Sequence, residues 1–374
     1  MSGFDLRSLK KTHNQEDHIE TTKYCKHIVY GENIYGVLTF FKLNEKYPGE
    51  VKLITNNSYL KEDFENELKT SLNSIRSQVV ADELNGLNAS LEITPSQTKV
   101  KFYKDTKFQP FGGRAKPHDI KPNEEFFIDP YFNFNSNAIL KAEQIENFDQ
   151  LMSENQTHKL IKSIEMIENT DLADQTNFKV HTGDYENFTC ENLYFCESPK
   201  KFFNLVSNKD SLPESVQKFC VTIENHSAIA VHFKAKAEVY LESGSLIIPQ
   251  SMTHEWGSFL LDIEPFNPTN STQELTAVTF LSEDDVQEED LAKKIKLMRR
   301  VIERVLPEFT EDNVDQMIRF SDEFDITGVD DTLFSDLQSE HVKFCGHASP
   351  IDKGDSNDFK YFSRAYYAIM KSNF

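Results

Sequence analysis

The stretch KHIVYGENIYGVLTFFKLNEKYPGEVKLITNN, Lys26 to Asn57, decides how the rest of the chain is read. HIVYG (27–31) is short, rich in branched and aromatic residues, and ends in glycine, as a buried parallel strand does. From Ile34 onward, Val37, Leu38, Phe40, Phe41 and Leu43 form an apolar stripe at helical spacing. Tyr47-Pro48-Gly49 stops that helix. VKLIT (51–55) predicts a second buried strand. Strand, glycine turn, helix and strand within so short a span make a βαβ unit of the nucleotide-binding kind. The turn itself reads Gly31-Glu32-Asn33-Ile34-Tyr35-Gly36, a G-x-G-x-x-G fingerprint whose middle glycine is Asn33.

Each position of that turn has a physical meaning. A strand ending in a glycine turn before a helix aims backbone N–H groups at a spot where a pyrophosphate can sit. Gly31 suits the tight turn and Gly36 permits close helix–strand packing. Asn33 stands where a pyrophosphate approaches closest, so its side chain crowds that approach. Asparagine tolerates left-handed backbone angles, which makes it one of the less damaging replacements. An acidic residue is expected at the end of the second strand to hold a ribose, and Thr55 and Asn56 stand there instead. Read without its surroundings, the turn would serve an ordinary helix–strand junction equally well.

Composition narrows the classes. The chain has 374 residues, enough for a sizeable core and two domains. With 38% hydrophobic residues and 30 Phe it is globular rather than disordered. A formal charge of −21 argues against binding a nucleic-acid backbone or an anionic membrane surface. No run approaches the length of a membrane span, and the polar N-terminus lacks the apolar core of a signal peptide. Cys25, Cys190, Cys196, Cys220 and Cys345 form no C-x-x-C pair, and three of them lie in apolar, strand-like runs. Free thiols in a reducing compartment follow, so the expected location is cytoplasmic, with no metal site.

Beyond the opening unit, LKEDFENELKTSLNSIRSQVV (60–80) has helical periodicity, and ASLEITPSQTKVKFYK (89–104) alternates and reads as a hairpin. FQPFGGRAKPHDIKPNEEFFIDPYFNF (108–134) is loop-like, and 138–170 returns to helix. FKVHT and NLYFC read as strands around a turn at Gly183-Asp184, with a helix after Pro199. CVTIENHSAIAVHFKAK, GSLIIPQS, WGSFLLDIEPF and ELTAVTFLS are four strands at hairpin-like spacing, an antiparallel sheet separate from the first unit. EDLAKKIKLMRRVIERVLPEF (289–309) is a long amphipathic helix. The end, from HVKFCGH onward, reads as strand, glycine turn, loop and helix.

The order of these segments carries a resemblance. FGGRAKPHDIKPNEEFFIDPYFNF resembles the G-G-R segment of flavin-containing amine oxidases, with Gly112, Gly113 and Arg114 matching the motif. FKVHTGDYENFTCENLYFCESPKKFFNLV resembles that family's strand pair leading to a helix. VKFCGHASP with FKYFSRAYYAIM resembles its closing motif, in which a strand and a Gly-acid pair precede a helix. From about residue 26 onward the chain is identified as a degenerate member of the FAD-dependent amine oxidase superfamily.

The resemblance implies an α/β fold: a Rossmann-like FAD-binding domain with an inserted antiparallel-sheet plus helix substrate domain. The implied division is a polar tail over 1–24, a discontinuous dinucleotide-binding domain over 25–135, 176–200 and 338–374, and a cap over 136–175 and 201–337. FAD would meet Gly31, Asn33 and Gly36 at its pyrophosphate. Thr55 and Asn56 would lie at its ribose, Gly112, Gly113 and Arg114 near its phosphates or ribityl chain, and Gly346 and His347 beside the ribityl and pyrophosphate oxygens. Asn33, Thr55–Asn56 and His347, which replaces the family's acid after Gly346, are three departures around one ligand. Each charge-assisted bond lost to a ribose costs about 1.5–3 kcal/mol.

Two functions follow. One is an FAD-dependent oxidoreductase that oxidises a small organic substrate, such as an amine, by hydride transfer to flavin; no catalytic residue is identifiable. The other is a non-catalytic protein with a vacated or repurposed pocket, acting as a binding or scaffold protein for a protein partner. The six retained residues Gly31, Gly36, Gly112, Gly113, Arg114 and Gly346 place the flavoenzyme first. The remaining features read more simply. His226 and His232 share one side of a strand without a supporting carboxylate, so packing explains them better than a metal does. His254-Glu255-Trp256 lacks the second histidine of H-E-x-x-H, and Trp256 is a sheet-packing aromatic before it is a pocket wall. The run SEDDVQEED (282–290) caps and solvates a helix start. Tyr361, Phe362, Tyr366 and Tyr367 are core residues first and pocket residues second.

Overall fold

The computed structural model describes residues 20–56, 92–96, 101–110, 135–139, 148–167, 177–183, 185–253, 259–281, 288–327, 342–346, 348 and 369. In chain order the elements begin with β1 (Thr21–Tyr24), β2 (His27–Tyr30), α1 (Ile34–Lys46), β3 (Val51–Thr55), β4 (Glu92–Ser96), β5 (Lys101–Lys104), β6 (Lys107–Pro110) and β7 (Asn135–Ile139). There follow α2 (Phe148–Asn155), β8 (Gln156–His158), β9 (Ile161–Met166), β10 (Phe178–Thr182), β11 (Glu186–Cys190), β12 (Asn192–Phe195), α3 (Pro199–Leu205) and α4 (Glu214–Thr222). The remainder are β13 (Glu224–Ala235), β14 (Gly244–Ile248), α5 (Gln250–Thr253), β15 (Phe259–Ile263), β16 (Gln273–Leu281), α6 (Glu288–Val305), β17 (Val314–Thr327) and β18 (Val342–Phe344).

The opening stretch folds as its pattern predicts. β2 and β3 are parallel neighbours joined through α1. They lie in a five-stranded sheet of order β18-β12-β2-β3-β8 in which every pairing is parallel. All four residues of β2 are buried, as expected of a strand covered on both faces. From α1, Val37, Leu38, Phe40 and Leu43 are buried, while Phe41 is half-buried. Beside this sheet, Phe195 on the interior strand β12, Phe202 on α3, Phe219 on α4 and Phe344 on β18 form one aromatic cluster, with ring centroids 5.3–6.3 Å apart. Such tilted and edge-on contacts add to the area these rings bury.

A four-stranded sheet, β1-β11-β10-β9, carries a second layer of strands. The third is a seven-stranded sheet of order β17-β13-β16-β15-β14-β5-β6, antiparallel except where β14 meets β5. Four of its strands are those read from the sequence. The amphipathic helix α6 covers it, packing Met298, Val301 and Ile302 into the same core as Ile229, Val231, Phe233 and Leu261. Each such fully buried aliphatic side chain contributes about 1.5–3 kcal/mol of transfer free energy.

Three expectations are corrected. Residues 89–104 are not one hairpin: β4 pairs with β7, while β5 pairs with β6. The turn that makes the hairpin is Asp105-Thr106, both at positive φ (52° and 68°), a two-residue type I′ geometry. Residues 138–170 do not return to helix throughout. Among the residues described there, only α2 is helical; β8 completes the parallel sheet beside β3, and β9 joins the four-stranded sheet. Tertiary pairing overrides local periodicity in that segment. The sequence reading also passed over five strands: β1, inside the expected polar tail, β6, at the start of the expected loop, β7, β11 and the long β17. The sheets cross the expected domain divisions, since β5 and β6 hydrogen-bond into the seven-stranded sheet and β8 into the parallel one. The helix expected at 60–80, the loop 111–134, His254 to Trp256, the start of the acidic run and the closing helix at 359–370, apart from Ile369, lie outside the described residues.

Candidate functional site

The C-terminal end of β2 meets the first turn of α1 and the end of β12 at one point. A Cβ on Gly31 would fall 2.8 Å from Cys196 Cβ and 3.1 Å from Gly36 Cα. One on Gly36 would fall 3.0 Å from Gly31 Cα. Both glycines are therefore required by close backbone approach. Gly346, just beyond β18, has φ +96°, and its approach face lies against the Tyr35 ring, 3.1 Å from where a Cβ would stand. The fold thus brings Gly31, Asn33, Gly36 and Gly346 together. Thr55 is at the end of β3, buried, with its Oγ1 bonded to His158 Nδ1 at 3.1 Å and to Gln156 Nε2 at 3.2 Å. Asn56 is exposed. Gly112, Gly113, Arg114 and His347 lie outside the described residues.

Asn33 makes no use of the left-handed backbone that asparagine tolerates. It is the N-cap of α1 with extended backbone, φ −137° and ψ 174°. Its Oδ1 accepts from the Gly36 N–H at 3.1 Å, the bond an N-cap exists to make. Its Nδ2 donates to the Cys196 carbonyl at 2.8 Å and to Glu197 Oε1 at 3.2 Å. One side chain therefore caps the helix and ties it to the end of β12.

Glu197 is the residue that sequence reasoning missed. Its side chain is only 7% exposed. Oε1 accepts from the Glu32 backbone N–H as well as from Asn33, and Oε2 pairs with Lys201 Nζ at 3.3 Å. Ser198 caps the following helix by accepting from the Lys201 N–H at 3.2 Å, and this turn sets Lys201 back over Glu197. Lys201 Nζ also lies 4.0 Å from Glu32 Oε1, which accepts from Tyr30 Oη at 3.1 Å. The available signal was positional. The residues after a strand in a parallel sheet stand beside the turn after its neighbour, and C-E-S-P places an acid there.

This geometry answers whether the residues present fit a dinucleotide. A helix N-terminus carries a partial positive charge and unpaired N–H groups that suit an anion. Here a buried carboxylate already takes the Glu32 N–H, and Asn33 takes the Gly36 N–H. A pyrophosphate brought to the same turn would meet the negative charges of Glu197 and Glu32. The turn, as folded, does not fit the pyrophosphate of FAD.

His232 Nδ1 bonds Thr276 Oγ1 at 3.1 Å. Among the described residues, no group of three or more His, Cys, Asp or Glu is arranged to hold a metal. All five cysteines are free thiols. Burial pushes the Cys190 and Cys196 thiols well up and that of Cys220 up to about 12, which makes them poor nucleophiles. Among the described residues no helix is long and apolar enough to cross a membrane.

No protein-family profile and no curated protein matches the chain by sequence. Solved structures do match by shape. An oxidoreductase from Methanosarcina mazei superposes with a TM-score of 0.62 at 13% identity, over 92% of this chain and 99% of that one. The chain has the amine-oxidase-like flavoprotein fold. A putrescine oxidase variant redesigned in cofactor binding matches this flavoprotein fold with a TM-score of 0.57 at 10% identity, over 94% and 98% of the two chains. Cyclohexylamine oxidase from Brevibacterium oxydans IH-35A does so with a TM-score of 0.54 at 11% identity, over 93% and 99%. The amine-oxidase-like fold therefore extends over more than nine-tenths of the chain's length.

Proposed function

We propose that this protein keeps the flavoprotein fold as a scaffold and acts by binding, without flavin redox chemistry. The observation that carries the reading is Glu197, a buried carboxylate hydrogen-bonded to the Glu32 N–H at the N-terminus of α1. The absent ribose acid at Thr55 supports it, because that hydroxyl is already engaged by His158 and Gln156. In this reading the parallel sheet with α1 is the former dinucleotide domain, and the seven-stranded sheet with α6 is the former cap. The partner is another protein in the cytoplasm. The test is the absorption spectrum of the purified protein, followed by equilibrium dialysis against FAD. A colourless protein that takes up no FAD supports the reading; stoichiometric flavin released on denaturation overturns it.

A second reading is an FAD-dependent oxidoreductase acting on a small organic substrate such as an amine. Gly31, Gly36 and Gly346, each held at close approach, favour it. It requires Glu197 to leave the turn when the cofactor binds. Flavin would then supply the hydride acceptor, Gly31 and Gly36 would set the distance of the backbone, and Lys201 would neutralise phosphate charge.

A further inference from the structure

We infer that Glu197 is a resident anion: its carboxylate occupies a built anion site at the N-terminus of α1, and removing its charge opens that site to inorganic pyrophosphate. The inference rests on the reading that the turn is closed, and it names the group that closes it.

Three donors of different kinds converge on this carboxylate: the Glu32 backbone N–H, the Asn33 side-chain amide at 3.2 Å and the Lys201 ammonium at 3.3 Å. Behind them stands α1, thirteen residues long, whose dipole favours negative charge at this end. A carboxylate so thoroughly removed from water is costly to bury unless it is paired and hydrogen-bonded. This one meets that condition with donors a phosphate oxygen would use. Its own strand delivers it: Phe195 pairs with Tyr30 in parallel register, so the residues just after β12 must lie beside the residues just after β2. Glu32 opposes any incoming anion, with its carboxylate held by Tyr30 and within 4.0 Å of Lys201. Two negative charges therefore share one lysine, and Glu197 is the more buried of the two.

The test compares wild-type full-length protein with Glu197→Ala, titrated with inorganic pyrophosphate by calorimetry and by thermal melting. Glu197→Ala is expected to bind pyrophosphate at least tenfold more tightly than wild type and to melt higher as pyrophosphate is added. Adding Glu32→Gln to it is expected to tighten binding further. If Glu197→Ala fails to fold, Glu197→Gln keeps the volume and one acceptor for the Glu32 N–H while dropping the charge; the same direction with a smaller gain is expected. A folded variant that binds pyrophosphate no better than wild type overturns the inference. Titration with FAD in parallel separates this from the broader reading. Flavin held by wild type overturns the binding-protein reading, whereas equal pyrophosphate binding by wild type and variant overturns only the role of Glu197.

Discussion

Asn33 does at one position what glycine could not. Its oxygen caps α1 and its nitrogen reaches the Cys196 carbonyl. Asn33→Ala is expected to lower unfolding stability by about 0.5–2 kcal/mol for the lost cap, with a further cost for the lost donor, measured by urea denaturation. Asn33→Asp would keep the cap acceptor but set a second carboxylate beside Glu197. It is therefore expected to be more destabilising at neutral pH than in acid, the reverse of an ordinary N-cap aspartate, and the pH dependence of its urea midpoint checks this. Asn33→Gly alone is expected to produce no flavin uptake in dialysis, since Glu197 stays in place. The glycines around the turn were legible because close backbone approach leaves a fixed residue type. The tie that Asn33 makes to the end of β12 was not, because those two partners are 163 and 164 residues away in sequence and only the β2–β12 pairing brings them near.

The elements divide along the same line between local and distant causes. β2, α1, β3 and α6 were readable because a buried strand and an amphipathic helix each leave their own periodicity. β8, only three residues long, carries none; it is a strand because β3 offers it an edge. The hairpin of β5 and β6 shows how local chemistry can be suboptimal yet tolerated. A type I′ turn favours Asn-Gly, and Thr106, β-branched at φ 68°, is strained there. Thr106→Gly is expected to raise stability by up to about 1 kcal/mol, visible as a higher thermal midpoint. Unchanged or lowered stability would mean that the threonine side chain compensates for its backbone.

At the scale of the whole molecule, acid acts on two separate sheets in the same direction. His27 is buried, with its ring stacked on Tyr47 at 4.4 Å, and burial together with the charge of Lys26 pushes its pKa down. The unfolded chain binds a proton at this residue near its ordinary value of about 6.5, where the folded protein resists it. Stability therefore falls as pH drops through that value toward the lower folded one. Glu186, hydrogen-bonded to Lys23 and paired with Lys159, has its carboxyl held below the ordinary range. What it contributes is present above the ordinary carboxylate value and is lost as pH falls through the lower folded one. The urea midpoint is expected to decline from about pH 7 to pH 5, and His27→Phe should flatten that part of the curve. Glu186→Gln should leave it and flatten the decline below about pH 4.

The strand order of the parallel sheet also has a consequence for how the protein is made. β2 has β3 on one side, but its other neighbour β12 comes from residues 192–195, and β12 in turn waits for β18 at 342–344. Until β12 has been synthesised, the nascent β2–α1–β3 unit therefore presents an open strand edge and the apolar faces of Ile28, Tyr30 and Ile54. Such exposed edges invite pairing with other chains. The same late closure brings Glu197 to the turn only after β12 has docked, so the N-terminus of α1 stays open to passing anions until then.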